Sequence, residues 1–184
     1  SYYDRDGEVR SYDDLLKMAQ PDAPALVTDE AIEARFEEVH AAMARLRASI
    51  AAANLDTLVI CGDDQNELFS DELMPSIGVY YGDTIRNGAW RELPESEWYK
   101  RAQMLRLEKG GARDYPVDSA LARHFIEGLL DADFDIAALA GLPKDQYEGH
   151  AFSFVHRTYL AQRTIPVTPV FLNTFFPPNQ PKPA

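Results

Sequence analysis

Ile32, Phe36, Val39, Met43, Leu46 and Ile50 recur at alternating steps of four and three residues, with charged residues filling the other faces. That spacing draws one apolar stripe down a long helix and predicts helix over Glu30–Ala53. Thr28 stands at the N-cap, and Asp29 and Glu30 fall in the first turn, where carboxylates favour the helix dipole. Asn54 is placed to cap the other end. The short apolar run Thr57–Cys61 follows and predicts a buried, central strand, with the helix stripe packed on its sheet. Ser76–Tyr81, bounded by Pro75 and Gly82, predicts a second strand. Asp83–Glu97 is rich in turn residues, and Glu97–Lys109 predicts a helix that stops at Gly110-Gly111. Asp118 caps the next helix, whose Leu121, Phe125, Ile126, Leu129 and Leu130 share a face. Phe134–Leu139 predicts a short strand.

The last apolar run, Ile165–Leu172, is rich in β-branched residues but carries Pro166 and Pro169. Proline has no N–H for a ladder, so this strand is expected at an edge or irregular at its start. Tyr12–Ala19 predicts a short helix near the start, before Pro21 and Pro24, and Asn173–Pro183 reads as a proline-rich loop. Together these elements predict an α/β fold, a mixed sheet flanked by helices.

The chain has 184 residues, which suits a single domain, 1–184. Both ends, Ser-Tyr-Tyr and Pro-Lys-Pro-Ala, read as interior to a longer chain, so the domain is expected to be partial and catalytic. The sheet near Ile165–Asn173 is then expected to present a bare apolar edge that invites association. Thirty acidic residues against 18 basic ones give a net charge of −12. That balance argues against nucleic acid and anionic membrane surfaces as partners. Cys61 is the single cysteine, so no intrachain disulfide forms. It is expected as a small buried hydrophobe in a cytoplasmic protein. No apolar run approaches membrane-spanning length, and no export signal is visible.

Candidate chemistry gathers where the strand Thr57–Cys61 ends. Gly62-Asp63-Asp64-Gln65-Asn66-Glu67 places five acidic or amide side chains in succession. Ligands of open α/β sheets sit beyond the carboxyl ends of strands, so a metal or polar substrate is one reading. The other is a turn closed by Asp and Asn side chains on their own backbone. Asp63, Asp64, Glu67, Asp71 and Glu72 lack the spacing of a calcium loop, although an acidic metal-hydrolase site is a further alternative. His150 and His156, six residues apart, are roughly 20 Å apart on a strand and well round from each other on a helix, so they do not chelate one ion. His40 and His124 flank apolar helix faces and read as helix-surface residues. Nucleophile-elbow, phosphate-loop and dinucleotide patterns are all missing.

Gly62-Asp63-Asp64-Gln65-Asn66-Glu67-Leu68-Phe69 after a strand resembles a segment of the class III extradiol ring-cleavage dioxygenases, the superfamily of the protocatechuate dioxygenase catalytic subunit. So do Asp114-Tyr115-Pro116-Val117-Asp118 with Leu121-Ala122, and Gly149-His150-Ala151-Phe152. Ile165-Pro166-Val167-Thr168-Pro169-Val170, with Asn173 and Pro177-Pro178-Asn179-Gln180-Pro181, completes the ordered set. These blocks cover most of the chain after Asp56. The resemblance implies an Fe(II)-dependent enzyme that opens the ring of a catechol-type aromatic compound, in the first instance an aromatic acid, with dioxygen. In the family two histidines and one glutamate hold the iron and leave one face free. A further histidine moves protons.

By that resemblance His150 is a catalytic and substrate-binding residue, and Gln65 binds substrate. Asp64 stands in the segment where the family has a histidine ligand, and is the candidate metal ligand here. The family's other histidine and glutamate ligands fall outside this chain, so Fe(II) is expected in the full-length protein and not on this stretch alone. Homo- or hetero-oligomers are implied. The alternative is a non-catalytic subunit or homologue of the same fold that binds an aromatic ligand or a partner subunit. Asp64, Gln65 and His150 are expected to converge on one pocket.

Overall fold

The computed structural model describes residues 2–3, 8–65, 67–70, 72–143, 146–160 and 163–174. The chain divides into two compact units, Ser1–Arg45 and Leu46–Ala184. In the first unit β1 (Tyr2–Tyr3) pairs antiparallel with β2 (Val9–Arg10). Helix α1 (Tyr12–Met18) opens on a capping box, in which the Ser11 hydroxyl accepts from Asp14 N–H and the Asp14 carboxylate accepts from Ser11 N–H, both at 3.2 Å. A single turn, α2 (Ala23–Leu26), follows. Helix α3 (Asp29–Ala52) starts where Thr28 Oγ1 accepts from Ala31 N–H at 3.2 Å, and its C-terminal turns belong to the second unit.

Helix α3 forms as its sequence predicts, but its stripe is not a core face. Ile32, Phe36, Val39 and Leu46 are 53%, 59%, 54% and 47% exposed. Met43 is half-buried, and Ile50 alone of the six packs on the main core. Full burial contributes about 1.5–3 kcal/mol per large apolar side chain, and four of the six forgo most of it. Periodicity fixes which residues share a face. It carries no information about what covers that face. The Phe36 ring instead lies against His40 one turn on, with centroids 4.0 Å apart.

The second unit is built on β3 (Leu58–Asp63), β4 (Ile77–Tyr80), β7 (Ala137–Leu139) and β8 (Val167–Leu172), in the order β3-β8-β4-β7. β8 runs parallel to β3 and antiparallel to β4, and β4 runs parallel to β7. The fold is therefore α/β, with a mixed sheet and flanking helices.

Two expectations are reversed within it. β3 is an edge strand, and the proline-containing β8 is interior, paired on both sides. The bare edge expected near Ile165–Asn173 is not there. The register explains how Pro169 is tolerated. Leu58 N–H donates to Pro166 C=O and Asp64 N–H to Leu172 C=O, so even-numbered residues of β8 turn their backbone groups to β3. Odd-numbered residues face the other way, as Asn173 N–H does toward Ser76 C=O. The β4 ladder ends at Val79↔Val170, one residue before Pro169 would have to donate.

β3 also leaves one of its two faces uncovered. Leu58, Ile60 and Gly62 face the core, while Val59 and Cys61 alternate to the exposed side. The expectation of a buried Cys61 is corrected accordingly. The turn-rich stretch after Gly82 contains a strand the sequence pattern did not reveal. There β5 (Thr84–Asn87) pairs antiparallel with β6 (Arg113–Pro116). Helix α4 (Trp98–Met104) is shorter than Glu97–Lys109. Helix α5 (Ser119–Asp131) is capped by Asp118, whose Oδ1 accepts from Leu121 N–H at 3.0 Å. Phe125, Ile126 and Leu129 of α5 pack on Val79 and Val170. Leu130 turns to solvent instead.

The opposite side of the sheet carries the larger core. Ile60, Phe69, Phe152, Leu160 and Phe171 meet there, with Phe171 edge-on to Phe69 at 5.8 Å and tilted against Phe152 at 4.5 Å. Helix α6 (His150–Phe154), continued by a π-helical turn (Val155–Leu160), lies directly on β3. A Cβ at Gly62 would stand 2.7 Å from Ala151 Cβ and 3.0 Å from the Phe152 ring. Glycine ends the apolar run of β3 because a helix occupies the space of its side chain. Gly62→Ala is therefore expected to destabilise the chain by about 1–3 kcal/mol, as overpacking does, although alanine is otherwise no worse than glycine in a strand. Chemical denaturation measures it. A midpoint equal to the parent's would mean that α6 does not sit on β3 in this way.

Candidate functional site

β3 delivers the chain to Asp63 and Asp64 at its carboxyl end. The Asp64 side chain turns inward and is 2% exposed. Its Oδ1 accepts from Leu68 N–H at 3.0 Å and its Oδ2 from Phe69 N–H at 3.2 Å. The carboxylate thereby closes the loop and sets Leu68 and Phe69 into the core. Burial pushes its pKa up, and the two backbone bonds pull part of the way back. Asp63 turns outward. Burial would raise its carboxyl, but bonds from Thr174 N–H at 3.3 Å and Gln65 Nε2 at 3.2 Å outweigh this and hold it below the usual range.

The closed loop presents Glu67, which joins the two candidate segments. Its Oε2 accepts from the backbone N–H of His150 at 2.6 Å and lies 2.7 Å from His150 Nδ1. Glu67 and His150 are 83 residues apart in sequence. A carboxylate accepts at Nδ1, so Nδ1 carries the proton and Nε2 is the ring nitrogen left for a ligand. Gly149 makes the approach possible, since a Cβ there would stand 2.9 Å from Glu67 Oε2. The other oxygen, Oε1, accepts from Arg106 Nη2 at 3.0 Å. Arg106 Nη1 donates to Ser153 Oγ at 3.2 Å, and Ser153 Oγ donates to the His150 carbonyl at 3.2 Å. Glu67, His150, Ser153 and Arg106 thus form a closed ring of hydrogen bonds.

This ring borders a cavity of about 480 Å³. Gln65, Glu67, Arg106 and His150 supply polar groups to it, and Leu105 and Phe154 an apolar wall. Of the residues singled out in the sequence, Gln65 and His150 reach this cavity. Asp64 lies behind it, its nearer oxygen 3.8 Å from the position of a Cβ on Gly149. Glu67 stood in the strand-end cluster with nothing to separate it from its neighbours. Arg106 and Ser153 carried no signal in sequence, because their roles come from two remote segments meeting. Of the other histidines, His124 is exposed on α5.

His156 has a different setting. Its Nδ1 lies 2.9 and 2.8 Å from the two oxygens of Glu148, and both side chains are fully buried. The ring stacks on Tyr115 at 4.0 Å, 5° from parallel. Tyr115 donates to Glu108, which also accepts from Arg157 at 3.1 Å. Burial pushes the Glu148 carboxyl up against the pull of His156. Burial and the Glu108 bond push Tyr115 up to about 12.

An Fe(II) centre of the two-histidine, one-carboxylate kind needs three ligands on one face. Among the described residues no three His, Cys, Asp or Glu side chains converge as a metal-ligand set. Asp64 has both oxygens on backbone amides, and His150 Nδ1 is held by Glu67. These residues do not by themselves fit such a centre. Among the described residues no helix is long and apolar enough to cross a membrane.

Two substitutions test the role of Asp64. Asp64→Ala leaves two buried amides unpaired and is expected to cost about 1–3 kcal/mol. Asp64→Asn tests the charge. The folded carboxyl binds its proton more readily than the unfolded one, whose pKa is about 3.8. Its stabilising contribution is therefore full below that value and is lost as pH rises through the raised folded pKa. Relative to the parent, the asparagine variant is expected to be weakest in acid and to recover toward neutral pH. Denaturation midpoints measured from pH 3 to 8 check this; a pH-independent difference would contradict it.

No protein-family model matches this chain, and no curated protein sequence matches it either.

Proposed function

We propose that this chain is part of a class III extradiol-type ring-cleavage dioxygenase and binds a catechol-type aromatic compound in the cavity beside His150. One observation carries the reading. Glu67 and His150, from two of the segments that resemble the family, meet at hydrogen-bond distance on a cavity with an apolar wall. Leu105 and Phe154 suit an aromatic ring. His150 Nε2, with Nδ1 oriented by Glu67, accepts the proton of a phenolic hydroxyl. Glu67 then stabilises the imidazolium that results. Gln65 offers its amide to a second oxygen of the ligand.

Fe(II) supplies dioxygen activation in such enzymes. The described residues do not assemble its ligands. The inward orientation of Asp64 favours a second reading, a non-catalytic member of the same fold that binds the aromatic ligand alone. The exposed stripe of α3 supports an oligomer, and the exposed Cys61 thiol suits a reducing cytoplasm.

Titration of the chain with catechol is expected to show saturable binding. His150→Gln is expected to weaken it by about tenfold, the loss of one good hydrogen bond. Binding that is absent, or indifferent to His150, would sink the proposal. Formation of a ring-opened product under Fe(II) and dioxygen supports the dioxygenase over the binding-only member.

A further inference from the structure

We infer that the cavity selects an uncharged catechol-type ligand over its carboxylate-bearing counterpart, and that Glu67 sets this preference. The inference rests on the proposed function and narrows its substrate class, against the aromatic acid that the family resemblance suggests.

An aromatic acid needs a cation that is free to receive it. Among the described residues that line the cavity, Arg106 is the one of fixed positive charge. Both of its terminal nitrogens are engaged, Nη2 by the Glu67 carboxylate and Nη1 by Ser153. Glu148 also lies within electrostatic reach of Arg106, and Asp63 within reach of His150. Around the ring the carboxylates of Glu67 and Asp63 outnumber the guanidinium of Arg106. Arg106 and Glu67 have only about a quarter of their side-chain surface exposed, 25% and 26%, so water screens these charges weakly. A ligand carboxylate entering here meets net negative charge unless it displaces Glu67, which would strip His150 of its orienting partner. An uncharged ring with two hydroxyls meets no such cost. The remaining lining suits it, with Thr158 as a neutral hydrogen-bonding group beside Leu105 and Phe154.

The test uses 3,4-dihydroxybenzamide and 3,4-dihydroxybenzoate, which share a shape and differ in charge at pH 7. Calorimetric titration of the full chain is expected to show the amide binding tighter by about tenfold or more. Glu67→Gln frees Arg106 and is expected to narrow the ratio by strengthening the acid. Gln103→Lys adds a cation to the lining without touching the hydrogen-bonded ring. It is expected to strengthen the acid and leave the amide unchanged, and it serves if the Glu67 variant does not fold. Equal or tighter binding of the acid by the parent chain overturns the inference and leaves the proposed function standing. An acid affinity that Gln103→Lys does not move overturns it as well. Benzamide without the diol binding as tightly as the diol overturns both.

Discussion

At Gly62 the strand β3 and the helix α6 come so close that not even a methyl group fits between them. The site depends on that contact. It fixes the height of α6 above the sheet, and so places the first residue of the helix, His150, level with the loop that leaves β3. Gly149 repeats the device one step before His150, where it lets a carboxylate reach the backbone amide. Asp64 completes the arrangement from the other side by drawing the loop into the core. Two glycines and one buried carboxylate thus bring together groups that are far apart in the chain.

What the sequence revealed and what it hid divide along physical lines. Helix α3, the cap at Asp118 and the strands Leu58–Asp63 and Ile77–Tyr80 were legible because each follows from residues near one another. The place of β3 in the sheet was not. An apolar run reports burial of a kind but not the number of neighbours, and β3 keeps one flank bare. Pro169 misled for a related reason. A missing donor bars a strand from the interior only where the neighbour asks for that donor, and here the β4 ladder stops first. At the site, Gln65 and His150 were legible through their segments. Arg106 and Ser153 were not, since nothing local marks a residue whose partner is contributed by another segment.

The two histidines of the α6 region show how burial separates similar chemistry. Each has a carboxylate at Nδ1. His150 is half-buried, opens on a cavity and has its second nitrogen free for a ligand. His156 is sealed between Glu148 and the face of Tyr115, fully buried and with no opening to a ligand. The π-helical turn that carries His156 also carries Thr158 on the cavity side and Arg157 toward Glu108, so one irregular turn serves both environments.

The hydrogen bonds through Glu67, His150, Ser153 and Arg106 return to their starting point. An open chain of the same bonds would let its last member swing about the one before it. A closed circuit has no last member. His150 is held from the strand side through Glu67 and from within its own helix through Ser153, and the two supports meet again at Arg106. Such a frame behaves like a braced truss. A push on any corner is shared by both routes, and the imidazole keeps its bearing on the cavity.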